Sequence, residues 1–150
     1  MTISEQINEE IKTAIRAKDK ISLEALRAVK AAFILAKTKE SASGELSENE
    51  ELKIIQKLVK QRNESAEIYK QQGRNDLYEN EIAEAKVLEK YLPAKMSPEE
   101  LKVFLEALID KTGAEGQKDM GKLMGLATKE LAGKADGKEI AQLVRELLTK

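Results

Sequence analysis

The sequence contains no cysteine and no histidine. Those absences exclude disulfides, thiol nucleophiles, histidine-based triads and the usual zinc ligand sets, leaving carboxylates, lysine, serine, threonine and tyrosine as candidate catalytic groups. Aromatic residues are scarce at 3% of the chain, none of them tryptophan, which argues against a surface that stacks single-stranded bases. Neither charge is in excess. With 26 Lys and Arg against 27 Asp and Glu, no global basic field announces a nucleic-acid binder, so any such contact must be local. Long apolar runs are missing too: the longest, Ala31 to Ala36, is far too short to span a bilayer. Met1-Thr2-Ile3-Ser4-Glu5-Gln6-Ile7 lacks the basic start and apolar region of a leader peptide. A cytoplasmic protein without a membrane partner is expected.

What is present is charge and aliphatic periodicity. Charged residues make up 35% of the 150 positions, which fits a helix-rich protein with an aliphatic core, one domain or two small helical subdomains. Thr2 with Glu5 has the form of a capping box, and Ile3, Ile7, Ile11, Ala14 and Ile15 recur at helical spacing after it. Asp19 can cap a second helix, from Lys20 to about Lys39. Its Leu23, Leu26, Val29, Phe33, Ile34 and Leu35, with several alanines, leave little polar circumference, as in a central helix. Glu40 to Glu45 reads as a polar loop. Serine amidases pair serines with a lysine, but Ser41 and Ser43 have no amidase-like surroundings there, so they are read as ordinary loop residues.

Ser47 and Glu50 form a second capping box, opening a third helix that stops at Gly73. Arg62 falls on its apolar stripe between Val59 and Ala66, where a guanidinium needs a carboxylate partner; Glu81 or Glu84 can supply it. An anion or partner site at Arg62 is the alternative. A fourth helix starts at Asn75 or Asp76 and ends before Pro93, with Tyr78, Ile82, Ala85, Leu88 and Leu92 as its seam. Ser97, Pro98 and Glu100 make the strongest helix start in the chain. Helix five then runs to Thr112-Gly113, and Asp136 with Glu139 caps a seventh helix. No strand pattern competes. The expected architecture is all-α: a four-helix array over 1–92, a linker at 93–97 and a three-helix bundle over 98–150.

The sixth helix is the most informative. Wound from Lys118 to Leu131 at roughly 100° per residue, it places Met120, Leu123, Met124, Ala127 and Leu131 on one face, as core. On the opposite side Lys118, Lys122, Gly125 and Lys129 fall into one row, with Gly121 and Thr128 beside it. Two glycines inside a helix cost about 1 kcal/mol each relative to alanine, so something needs close approach to the backbone. Either a phosphate backbone lies on the strip, neutralised by the lysines, or another helix of the same domain packs on Gly121 and Gly125.

The run Asp119-Met120-Gly121-Lys122-Leu123-Met124-Gly125, followed by Gly133-Lys134-Ala135-Asp136-Gly137-Lys138 and an apolar last helix, resembles the GatB/YqeY family. That pattern is shared with the tail of the B subunit of the glutamine-dependent aspartyl/glutamyl-tRNA amidotransferase. Leu26-Arg27-Ala28-Val29-Lys30-Ala31-Ala32, the run from Lys60 to Tyr69 and Tyr91-Leu92-Pro93 are similar to the free-standing YqeY-like branch. The resemblance implies a tRNA connection, because the related tail helps hold tRNA while other parts of the subunit do the chemistry. It also implies an amidotransferase-like label, a carbon–nitrogen ligase using glutamine as amide donor.

This chain has neither a P-loop nor a deep α/β scaffold on which to build such chemistry. The expectation is a non-catalytic protein, with no cofactor, no metal and no catalytic residues. Its tail contacts tRNA or other structured RNA through Lys118, Lys122, Lys129, Lys134 and Lys138 around Gly121 and Gly125. A protein-interaction adaptor, docking a partner without RNA, is the second reading.

Overall fold

A computed structural model describes residues 1–40 and 45–149, so Ser41 and Ser43 lie outside the described residues. The described residues form seven α-helices and one short 3-10 turn, with no strand. The chain divides into two compact units, Met1–Leu92 and Pro93–Lys150.

The first unit holds α1 (Ile3–Ala17), α2 (Lys20–Glu40), α3 (Glu48–Gln71) and α4 (Asn75–Glu89). Local chemistry sets the starts of the helices. Thr2 and Ser47 close capping boxes with Glu5 and Glu50, while Asp19 accepts the Ser22 N–H at 3.1 Å and its hydroxyl at 2.7 Å. Such caps each contribute about 1 kcal/mol. Helix α2 packs against α1, α3 and α4, and its Ala25, Leu26, Val29 and Phe33 are buried with Ile7, Ile55 and Leu88. Burying each large aliphatic side chain stabilises the fold by about 1.5–3 kcal/mol.

The apolar surround of α2 is incomplete, contrary to the sequence reading. Ile34 is 54% exposed and Leu35 58% exposed, because the neighbouring helices cover only one side. Ile15, the last isoleucine of the α1 repeat, is likewise exposed. Helix α4 stops at Glu89, ahead of the Leu92 that its seam predicts. Tyr91 and Leu92 donate to Leu88 and Glu89 at 3.1 Å, i→i−3 bonds that tighten the chain before Pro93.

Glu51 is a buried carboxylate that the sequence does not single out. From α3 it reaches across to accept the Ser4 N–H at 3.2 Å, in the first turn of α1. That donor is one of the four a helix start leaves unsatisfied, and the helix dipole favours an anion there. Burial nevertheless pushes the Glu51 carboxyl above the usual range, against the lowering effects of the Ser4 bond and of Lys37. On α1, Glu10 accepts a hydrogen bond from the Tyr91 hydroxyl. Burial first, and then that carboxylate, push the Tyr91 phenol well above its ordinary value.

The second unit holds α5 (Pro98–Thr112), the 3-10 turn Gln117–Asp119, α6 (Met120–Glu130) and α7 (Gly137–Leu148). Ser97 and Glu100 close a capping box with Pro98 in the first turn, and Gly113 ends α5 in the left-handed region at φ 69°. All three helices contact one another around Leu101, Leu105, Leu123, Ala127, Leu131, Ile140, Val144 and Leu148. Asp136 caps α7 through the Lys138 N–H at 3.2 Å, while Glu139, expected to close a capping box, lies 3.9 Å from Lys95 Nζ.

Candidate nucleic-acid interface

Helix α6 presents its apolar face as the spacing predicts: Leu123 and Ala127 are buried, and Met120 and Met124 are packed against the same core. The opposite side is open. Gly121 and Gly125 are both exposed, and a Cβ built on either would meet nothing within 4 Å beyond the helix itself. The alternative in which a helix of the same domain presses on these glycines therefore fails. The strip between them is bare backbone.

Lys122 and Lys129 are exposed beside that strip. Seven residues apart on one helix, their backbones are separated by about 10 Å along the axis. Lys118 departs from the expected row. The α-helix begins at Met120, two residues later than the spacing predicts, and Lys118 belongs to the 3-10 turn. At about three residues per turn that segment rotates faster than an α-helix, so a four-residue offset no longer returns Lys118 to the Lys122 azimuth. The cause is a local knot: Gly116 sits at φ 76°, and Asp119 Oδ2 accepts the Glu115 N–H at 2.8 Å.

Thr128 lends nothing to an incoming ligand through its donor. Its hydroxyl donates back to the Met124 carbonyl at 2.8 Å, within the helix. Beyond α6 the chain turns at Gly133, buried at φ 78°, and the Lys134 carbonyl accepts the Met96 N–H at 2.9 Å. This bond fastens the turn to the segment leading into α5. Lys134 in the turn and Lys138 in the first turn of α7 carry exposed side chains. The five lysines thus belong to four successive pieces of backbone in one unit. A shallow pocket of about 50 Å³ reaches one of them, Lys122, and is lined besides by Thr112, Gly113, Ala114, Asp119, Leu123 and Leu126. Residue spacing in α6 gives no signal for it, since Thr112 at the end of α5 and Gly113 and Ala114 just beyond supply three of its seven lining residues.

In the first unit, Arg62 and Glu84 approach to 3.8 Å between Nη2 and Oε1, their side chains only 16% and 9% exposed. Asn80 Nδ2 lies 3.4 Å from the other Glu84 oxygen, and the buried Arg62 Nε has no hydrogen-bond partner. Burial pushes the Glu84 carboxyl up. Arg62 pulls it down, and Glu81 and Glu24 raise it again as like charges. Glu81, the other carboxylate weighed for Arg62, thus acts here on Glu84. Among the described residues, no group of three or more acidic side chains could hold a metal ion, and no helix is long and apolar enough to cross a membrane.

Comparison with known proteins places this chain in a family. Two curated relatives are each named altered inheritance of mitochondria protein 41, mitochondrial. The one from Pyrenophora tritici-repentis is 26% identical over 147 residues, covering 95% of this chain and 79% of the relative. The one from Clavispora lusitaniae is 32% identical over 107 residues, covering 70% of this chain and 61% of the relative. Residues 4–148, from the first turn of α1 to the end of α7, match the family model described as Yqey-like protein, and the chain belongs to that YqeY-like family.

Proposed function

We propose that this chain is a non-catalytic RNA-contacting protein whose C-terminal unit holds structured RNA, tRNA foremost, through its lysines around a bare helix strip. The observation that carries the reading is the open backbone at Gly121 and Gly125, beside Lys122 and Lys129. Interior peptide groups of a helix are already hydrogen-bonded, so the glycines contribute approach distance, and the ammonium groups supply the attraction. Lys118, Lys134 and Lys138 extend the contact to either side. Such binding follows the phosphate backbone and reads shape, not sequence.

The catalytic step of an amidotransferase is left to other proteins in this reading, because the chain offers no P-loop, thiol or imidazole. The compartment we propose is the cytoplasm; the relatives' names make mitochondria the competing site, and fractionation separates the two.

Fluorescence anisotropy with labelled tRNA at low salt tests the proposal. Saturable binding is expected, with a tenfold or greater loss in the Lys122→Glu/Lys129→Glu variant. Absence of tRNA affinity, or affinity untouched by that variant, overturns it. Co-purification with and without nuclease separates it from a protein-docking adaptor, since partners bridged by RNA disappear on digestion. Glutamine-dependent amidation of charged tRNA by the purified chain alone would replace a holding role with an enzymatic one.

A further inference from the structure

The outward face of α2 has no role in the RNA reading. Along it, Arg27, Ala31, Ile34, Leu35 and Thr38 are all exposed, at offsets of four, seven, eight and eleven residues. These are the offsets of a helix-packing seam. Ile34 and Leu35 stand side by side, each more than half exposed, and Ala31 one turn earlier leaves room for another backbone to come near. Isolated exposed aliphatics are ordinary; two large ones adjoining a small residue on a seam are a patch with a shape.

The rim of the patch carries the second observation. Over its length α2 carries Lys20, Arg27, Lys30, Lys37 and Lys39 against Glu24 and Glu40, and among the described side chains Lys20, Glu24, Arg27, Lys30 and Lys39 are exposed. Among the described residues Arg27 and Lys30 have no ion-pair partner. The face is therefore apolar along its seam and cationic at its edges, on a helix with five cations and two anions in a chain of 26 and 27.

We propose that the exposed face of α2 docks an acidic amphipathic helix of a partner protein, its aliphatic stripe on Ala31, Ile34 and Leu35 and its carboxylates on Arg27 and Lys30. Charge decides the occupant. A second copy of the chain, meeting this face with its own, would bring two predominantly cationic rims together, five cations against two anions on each α2. A lipid surface is a poorer match, because the apolar stripe is one helix row wide and Glu24 shares the face. The mode is helix against helix, recognised through anchors at i, i+3 and i+4, with charge complementarity setting orientation and encounter rate.

The test uses the full chain and two designed helical peptides with identical leucine stripes, one bearing glutamates and the other lysines at the flanking positions. Anisotropy at low salt is expected to show micromolar binding of the acidic peptide and at least tenfold weaker binding of the basic one. Ile34→Ser/Leu35→Ser and Arg27→Glu/Lys30→Glu should each lower acidic-peptide affinity tenfold or more, with helical circular dichroism unchanged. Amide chemical-shift changes should cluster between Arg27 and Lys39, and Lys122→Glu/Lys129→Glu should leave this binding intact. Equal affinity for both peptides, or retained affinity in Ile34→Ser/Leu35→Ser, overturns the proposal. So does concentration-dependent dimerisation abolished by Ile34→Ser/Leu35→Ser, or co-sedimentation with phosphatidylglycerol vesicles without peptide binding.

Discussion

Replacing Gly125 with alanine separates the stability of α6 from its proposed use. Gly125 is central in the helix, and a Cβ there meets no neighbour, so the substitution brings no steric cost. Alanine is favoured over glycine inside a helix by about 0.8–1 kcal/mol, partly because it narrows the unfolded ensemble. For a unit of this size that is roughly a 4–8 °C rise in melting temperature, in the transition that unfolds Pro93–Lys150. The same methyl group raises the bare strip by a carbon atom, between Lys122 and Lys129. If phosphates seat there, Gly125→Ala should weaken tRNA binding several-fold while strengthening the fold, and Gly125→Leu should weaken it further. Scanning calorimetry and anisotropy on one preparation read both quantities. A lowered melting temperature would refute the open strip, and a stabilised protein with undiminished tRNA affinity would refute the seat.

Arg62→Met leaves the Glu84 carboxylate buried beside Glu81 and Glu24 without its cation, and should cost about 3 kcal/mol in urea unfolding. Adding Glu84→Leu should recover most of that loss, so additive penalties in the double-mutant cycle would contradict the pairing. Glu51→Gln bears on pH. Because burial raises the folded-state pKa of Glu51, the ionised carboxylate is a burden above that value, and the burden lifts as pH falls through it toward the ordinary 4.5. The variant should gain on the wild type at neutral pH and lose that margin on acidification; a margin that grows instead would reverse the assigned sign.

Much of the fold is legible where the controlling chemistry is local. Three Ser or Thr residues followed three positions later by glutamate give three observed capping boxes, because donor and acceptor lie within one turn. Arg62 is legible as a charge on an apolar stripe, a conflict that only a partner on another helix relieves. The misses are tertiary. Periodicity around α2 counts how many sides are apolar but not how many neighbours exist to cover them, so Ile34 and Leu35 read as core and stand exposed. Glu51 sits among acidic residues that read as an ordinary helix start, and nothing within a few positions announces the α1 backbone it meets. Lys118 moves off its row because Asp119 bonds the Glu115 N–H and winds a 3-10 turn ahead of the helix. The bareness of the glycines could not be read from spacing at all, since a packed and an open pair share one sequence pattern.

The balance of charge limits what the lysine strip can do alone. A chain with 26 cations and 27 anions has no long-range field to gather RNA, so attraction arises only within a Debye length, about 8 Å at physiological ionic strength. Two or three phosphates neutralised beside α6 give a salt slope of roughly −1.8 to −2.7, or about a 10- to 40-fold loss of affinity between 50 and 200 mM salt. A contact that small holds RNA weakly under cellular conditions. If the strip is used there, a second surface must add to it, and a docked partner bound elsewhere on the chain can provide one by raising the effective concentration of RNA. The measurable consequence is a slope between about −2, for the α6 pair alone, and about −4.5, with Lys118, Lys134 and Lys138 engaged, made shallower by about two in Lys122→Glu/Lys129→Glu. A slope of six or more would place the main contact on other cations.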